Sequence, residues 1–194
     1  PGLAEAHELI DTETHLGLVM EYVDGVAFDA YVRPRAGTLT GYTTALSAVA
    51  SVLDYLHAQD VIHRDVKPDN IRIRDTGAPV LLDLGIAKVS SSVHRLTQTG
   101  ITMGTVIYMA PEQVETSEVG PAADQYALAM IVYELLAERL PWAPGLNTVQ
   151  IFTIKQRGTL LSLDEAGQGS TPAVSAVVHR ALAVDPAHRY PSCT

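Results

Sequence analysis

The chain has 194 residues, enough for one domain with a full core. Hydrophobic residues make up 47% and charged residues 18%, the balance of a globular protein and not of a disordered one. A formal charge of −9 sets the overall field against nucleic acid and anionic membranes, and no run of Lys and Arg supplies a local exception.

In chain order, residues 6–10 read as a short strand and residues 16–23 as a stronger one, closed by Asp24-Gly25. Leu46, Val49, Ala50, Leu53 and Leu56 then recur at helical spacing with one buried face. Ile71 and Ile73 alternate as a brief strand, which pairs with residues 78–82 in a hairpin around Gly77. Residues 87–101 are rich in Ser, Thr and Gly without an apolar period, and read as a mobile loop. Residues 126–137 are apolar nearly all round, as in a helix at the centre of a domain. That stretch falls short of the roughly 18 residues a membrane span needs, so no membrane segment is expected in this chain. Thr171 before Pro172 opens a last helix, an N-cap followed by proline at the first helical position. Val174, Val177, Val178, Ala181 and Leu182 would be its buried stripe. Cys193 is the only cysteine, which excludes an internal disulfide and a cysteine-built metal site and makes a reducing, cytoplasmic setting the expected one. The opening Pro1-Gly2, with no signal peptide, reads as part of a longer product.

Between the first long helix and the hairpin stands His63-Arg64-Asp65-Val66-Lys67-Pro68-Asp69-Asn70. It gathers a carboxylate, a cation and a metal-seeking amide in an order suited to moving a phosphoryl group. Asp83-Leu84-Gly85 and Ala110-Pro111-Glu112 follow. Any one of these residues alone would be an ordinary solvated side chain or a cap; the ordered set is what points to chemistry. Together the segments resemble the eukaryotic-type (Hanks-type) Ser/Thr protein kinases. The run Gly104-Thr105-Val106-Ile107-Tyr108-Met109-Ala110-Pro111-Glu112-Gln113 is most similar to the bacterial branch of that family.

The resemblance implies an α+β, protein-kinase-like fold: a mostly helical large lobe with short β-hairpins, the small lobe largely missing. Residues 1–24 would be the last small-lobe strands and the hinge, and residues 25–194 the large lobe. ATP and Mg²⁺ are the implied cofactors and protein substrates the implied partners, with no nucleic acid. Asp65 would accept the proton of the substrate hydroxyl, and Lys67 would neutralise charge on the γ-phosphate. Asn70 and Asp83 would hold magnesium through hard oxygen ligands. Met20 matches the gatekeeper, and Glu21 and Val23 would offer main-chain groups to the adenine. Leu84 replaces the usual phenylalanine and keeps an apolar side chain behind Asp83. Arg72 departs further, standing where an apolar adenine floor is usual; it would either stack on the ring or point away with the register altered.

By the same resemblance, Arg64 beside Asp65 signals control through the activation loop, since arginine grips phosphate bidentately. Thr97 and Thr99 look like the paired threonines autophosphorylated in bacterial relatives, and Thr102 and Ser90 to Ser92 are weaker sites. Phosphosite mapping on the active parent is expected to find Thr97 or Thr99 modified; their absence from the map would remove this regulation. Lys67 with Thr105 favours Ser/Thr over Tyr as acceptor. Glu112 with Arg189 matches a buried ion pair, Asp124 an anchor of the catalytic-loop backbone, and His63 a structural core residue.

The chain shows no glycine-rich loop, no strand lysine for the α- and β-phosphates and no partner glutamate. On its own it is therefore expected to carry little or no kinase activity and to expose an apolar surface. The rival reading is a pseudokinase-like module that binds partners without turnover. A small-molecule kinase of related fold fits less well, because such enzymes lack the Ala-Pro-Glu segment and the long threonine-bearing loop.

Overall fold

The computed structural model describes residues 2–12, 15–32, 34, 39–84, 103–115, 119–166 and 171–194. Residues 87–101, with Thr97, Thr99 and Ser90 to Ser92, and Thr102 and Gly85 lie outside the described residues. Two compact units are present, Pro1–Val52 with Pro68–Asp83, and Leu53–Lys67 with Leu84–Thr194.

In the first unit, β1 (Ala6–Asp11) pairs antiparallel with β2 (Leu16–Met20), Leu9 facing Leu18. β2 ends three residues sooner than the apolar run of the sequence, where the register of β1 shifts between Ala6 and Glu8 and the ladder closes. Leu9, Ile10, Leu18 and Val19 are exposed, so this hairpin carries uncovered apolar surface of the kind expected. Beyond it, Val23 turns inward and packs with Ala4 and Val80, against which Met20 and Leu82 also rest.

A second, three-stranded sheet runs β3 (Val26–Ala27), β4 (Ile71–Ile73), β5 (Pro79–Leu81), all antiparallel neighbours. Gly25, at φ +139°, precedes β3 where any Cβ would collide with the Ile73 carbonyl, so only glycine permits that strand to close on β4. Gly77, at φ +81°, makes the turn between β4 and β5. Helix α1 (Phe28–Val32) buries Phe28 and Val32. Helix α2 (Leu39–His57) buries Tyr42, Ala45, Leu46, Val49, Ala50, Leu53 and Leu56, one stripe at a spacing of three and four.

The second unit is helical: α3 (Met103–Tyr108), α4 (Glu112–Glu115), α5 (Ala122–Ala137), α6 (Thr148–Arg157), α7 (Leu163–Ala166) and α8 (Pro172–Ala181). Helix α5 is its axle, with α3, α7 and α8 against it. Even its polar residues Asp124 and Gln125 are buried, which is why its sequence shows no amphipathic face. Helix α6 is fixed at both ends. Asn147 and Gln150 form a reciprocal capping box, and Gly158 closes it in the left-handed region.

Helix α8 starts where Thr171 accepts a hydrogen bond from the Val174 N–H. Its buried stripe differs from the sequence expectation: Ser175, Val178, Ala181 and Leu182 face inward, whereas Val177 is 55% exposed. Ser175 stands three positions before Val178 on the same face of the helix, which packs against α5 and α7. No helix among the described residues is long and apolar enough to cross a membrane.

Candidate active site

In the second unit the loop at residues 63–65 hangs from α5. One oxygen of Asp124 accepts the His63 N–H and the other the Arg64 N–H, both at 2.8 Å, and His57 Nε2 stands 2.8 Å from the first. Asp124 is 1% exposed, so a single buried carboxylate sets the path of the chain into Asp65. His63, fully buried, accepts the Asp65 N–H at Nδ1 (3.3 Å). Arg64 takes φ +65°, a left-handed conformation that non-glycine residues rarely hold without support. The support comes from both sides. Its N–H is held by Asp124, and its carbonyl accepts Gln113 Nε2 at 3.0 Å. Gln113 Oε1 in turn accepts the Ala110 N–H at 2.8 Å, so one amide ties the segment after α3 to the loop at Arg64.

Asp124→Asn is expected to lower stability by about 1–3 kcal/mol, because its NH₂ must face an N–H donor and leaves that donor unpaired in the interior. A denaturation midpoint identical to the parent's would refute the anchoring role.

Lys67 Nζ lies 3.2 Å from Asp65 Oδ2 and 3.4 Å from Thr105 Oγ1 of α3, with Asp65 and Lys67 both about five-sixths buried (15% and 16% exposed). Carboxylate, ammonium and hydroxyl therefore form one small constellation. In the same unit Arg189, 3% exposed as a residue, grips both oxygens of Glu112 at 2.7 and 2.8 Å. The same guanidinium donates to the carbonyls of Ala183, Ala122 and Val184 and lies over the Tyr126 ring.

In the first unit, antiparallel pairing places Asn70 and Asp83 at the same end of the β4–β5 hairpin. Ile71 is opposite Leu81, and the Leu82 N–H donates to the Asn70 carbonyl at 2.8 Å. Asn70 is buried in a 3-10 turn (Pro68–Asn70), whereas Asp83 is exposed at φ +49°. An amide oxygen and a carboxylate gathered at one hairpin end are the hard donors that suit Mg²⁺.

Glu21 directs its side chain to the Arg74 guanidinium. The hydrogen bond from Arg74 holds its carboxyl below the ordinary glutamate range, so the Glu21 side chain is committed to the sheet. Main-chain contact thus remains the role open to Glu21, as it is to the inward-turned Val23; Met20 is half-buried. Of the two destinations open to Arg72, neither describes the outcome fully. The register is regular, with Ile71 and Ile73 buried, and the guanidinium donates to the Gly25 carbonyl at 2.5 Å.

Sequence reasoning missed Gln113, Asp54 and Lys155. Asp54 accepts the N–H groups of Cys193 and Thr194 at 2.7 and 3.0 Å and the Thr194 hydroxyl at 2.6 Å. Burial pushes the Cys193 thiol up, as do the Asp54 and Asp124 carboxylates, so it stays protonated in this polar tie. Lys155 is 1% exposed and makes three carbonyl contacts. A lysine in mid-helix reads as a solvated residue, and no local pattern marks it otherwise.

This arrangement agrees with what the chain matches. The family model for the protein kinase domain covers residues 1–193. Serine/threonine-protein kinase PknB of Mycobacterium tuberculosis is 33% identical over 198 residues, 98% of this chain and 31% of the relative. Serine/threonine-protein kinase PknA of the same organism is 34% identical over 200 residues, 99% of this chain and 45% of the relative. The chain belongs to the protein kinase domain family, in its bacterial Hanks-type Ser/Thr branch. It spans between 31% and 45% of the length of these curated relatives.

Proposed function

We propose that the protein carrying this chain transfers the γ-phosphoryl group of ATP to Ser or Thr hydroxyls of protein substrates. The observation that carries the reading is Lys67 set between Asp65 and Thr105 at 3.2 and 3.4 Å. In this role Asp65 accepts the proton from the attacking hydroxyl as the oxygen–phosphorus bond forms and the bond to ADP breaks. Lys67 offers positive charge to the transferring phosphoryl oxygens, where a partly buried site strengthens it. Thr105 fixes the lysine between carboxylate and hydroxyl. Asn70 and Asp83 would hold Mg²⁺, which neutralises phosphate charge when bound. Main-chain groups at Glu21 and Val23 next to Met20 would meet the adenine.

The test is incubation of the full-length gene product with γ-labelled ATP, Mg²⁺ and a degenerate peptide library. Label on Ser and Thr, with none on Tyr, is the expected result. A protein that binds nucleotide yet transfers nothing would instead leave the family's interaction-module role.

A further inference from the structure

Lys155 projects from α6 into the interior, 1% exposed, and donates to the carbonyls of Val106 (2.9 Å), Ile107 (2.5 Å) and Met109 (2.7 Å). These carbonyls belong to the C-terminal end of α3, where a helix leaves its last acceptors without intrahelical partners. An ammonium carries three N–H donors, and three acceptors meet it. The rings of Tyr126 and Trp142 wall it at 5.2 and 5.6 Å from the nitrogen. No carboxylate lies within ion-pair distance of it among the described residues. Burial pushes Lys155 well below the usual lysine range, opposed by the Glu112 charge.

A methionine would fill the same aromatic slot without burying a charge. The feature that lysine alone supplies is the three donors, and what they hold is the end of a six-residue helix. Thr105 sits in that helix, next to Val106, with its hydroxyl 3.4 Å from Lys67. We infer that Lys155 is a positioning residue for phosphoryl transfer: by clamping the last carbonyls of α3, it fixes the position at which that helix presents Thr105 to Lys67 and Asp65. The inference rests on the proposed kinase activity. It adds α6, a helix carrying none of the reacting groups, to the parts that set the site.

The experiment compares Lys155→Met, Thr105→Ala and the double variant in the full-length gene product, with wild type alongside. Lys155→Met is expected to lower kcat by about 10- to 10²-fold, the scale of a misplacement near 1 Å, with KM for ATP unchanged. In the Thr105→Ala background the same substitution should change kcat less than about twofold, since both act through one contact. Hydrogen exchange should quicken at the amides of 106–110 and stay unchanged across α8. Independent, multiplicative losses in the two backgrounds would overturn the inference, as would unchanged exchange at 106–110. If Lys155→Met fails to melt cooperatively, Lys155→Gln, which keeps two N–H donors, replaces it. Failure of both to fold would overturn the positioning role in favour of a purely structural one. A wild type without transfer activity would sink the proposed function, and the exchange arm would still read whether Lys155 holds α3.

Discussion

Asp65→Asn in the full-length gene product is expected to lower kcat for peptide phosphorylation by about 10²–10⁴-fold, the range that a positioned general base contributes. The substitution exchanges one carboxylate oxygen for an amide nitrogen and changes almost no volume. An amide oxygen still accepts a hydrogen bond from Lys67, whose Nζ stands 3.2 Å from the carboxylate, but it cannot take the proton of a hydroxyl. The backbone is held independently, through His63 Nδ1 and the Asp65 N–H and through Asp124, so the fold should persist. KM for ATP should move little, since nucleotide contact is assigned to other residues. Steady-state kinetics with a melting curve on the same sample check both parts. Wild-type kcat in a folded Asp65→Asn variant would remove Asp65 from the mechanism.

Arg189→Met and Glu112→Gln are each expected to destabilise the protein by about 3–5 kcal/mol, the scale of stranding one member of a buried ion pair. At roughly 2–4 °C per kcal/mol for a domain of this size, the melting temperature falls by roughly 6–20 °C. Arg189 has a side chain with no exposed surface, and Glu112 one that is 14% exposed. Loss of the glutamate leaves a cation in the interior with only three carbonyls and the Tyr126 ring for company. Loss of the arginine strands those carbonyls instead. The double variant should cost clearly less than the two singles combined, because each single leaves the partner uncompensated and the double does not. Calorimetry on the three variants decides it, and additive losses would show that the two side chains act separately.

Much of this molecule could be read before folding was considered. The stripe of α2 and the all-round apolar run of α5 are periodic signals carried by neighbours in the chain. The Thr171-Pro172 helix start and the Gly77 turn are equally local. The site residues were legible for another reason, because their types and order match a known family. The inward face of α8 was legible only in part: Val178, Ala181 and Leu182 are buried as the pattern implied, but Val177 and Ser175 differ in polarity in the wrong direction for a pattern reading. Arg72 could be assigned a place only once the Gly25 carbonyl was known to lie within reach of its guanidinium. Gln113, Lys155 and the left-handed Arg64 were invisible for a related cause. Each depends on a hydrogen bond with a main-chain group at one end, which every residue carries and no sequence distinguishes.

Residue order alone therefore pointed to the family and the elements with a repeating apolar face, and it named the candidates for the reactive groups. Folding settled which donor meets which acceptor: Asp124 with the loop at His63 and Arg64, Lys155 with the end of α3, Arg189 with Glu112. Those pairings join positions 46 to 77 residues apart. A local pattern carries information over a few turns of chain, whereas a hydrogen bond between distant segments exists only after packing has brought them within about 3 Å.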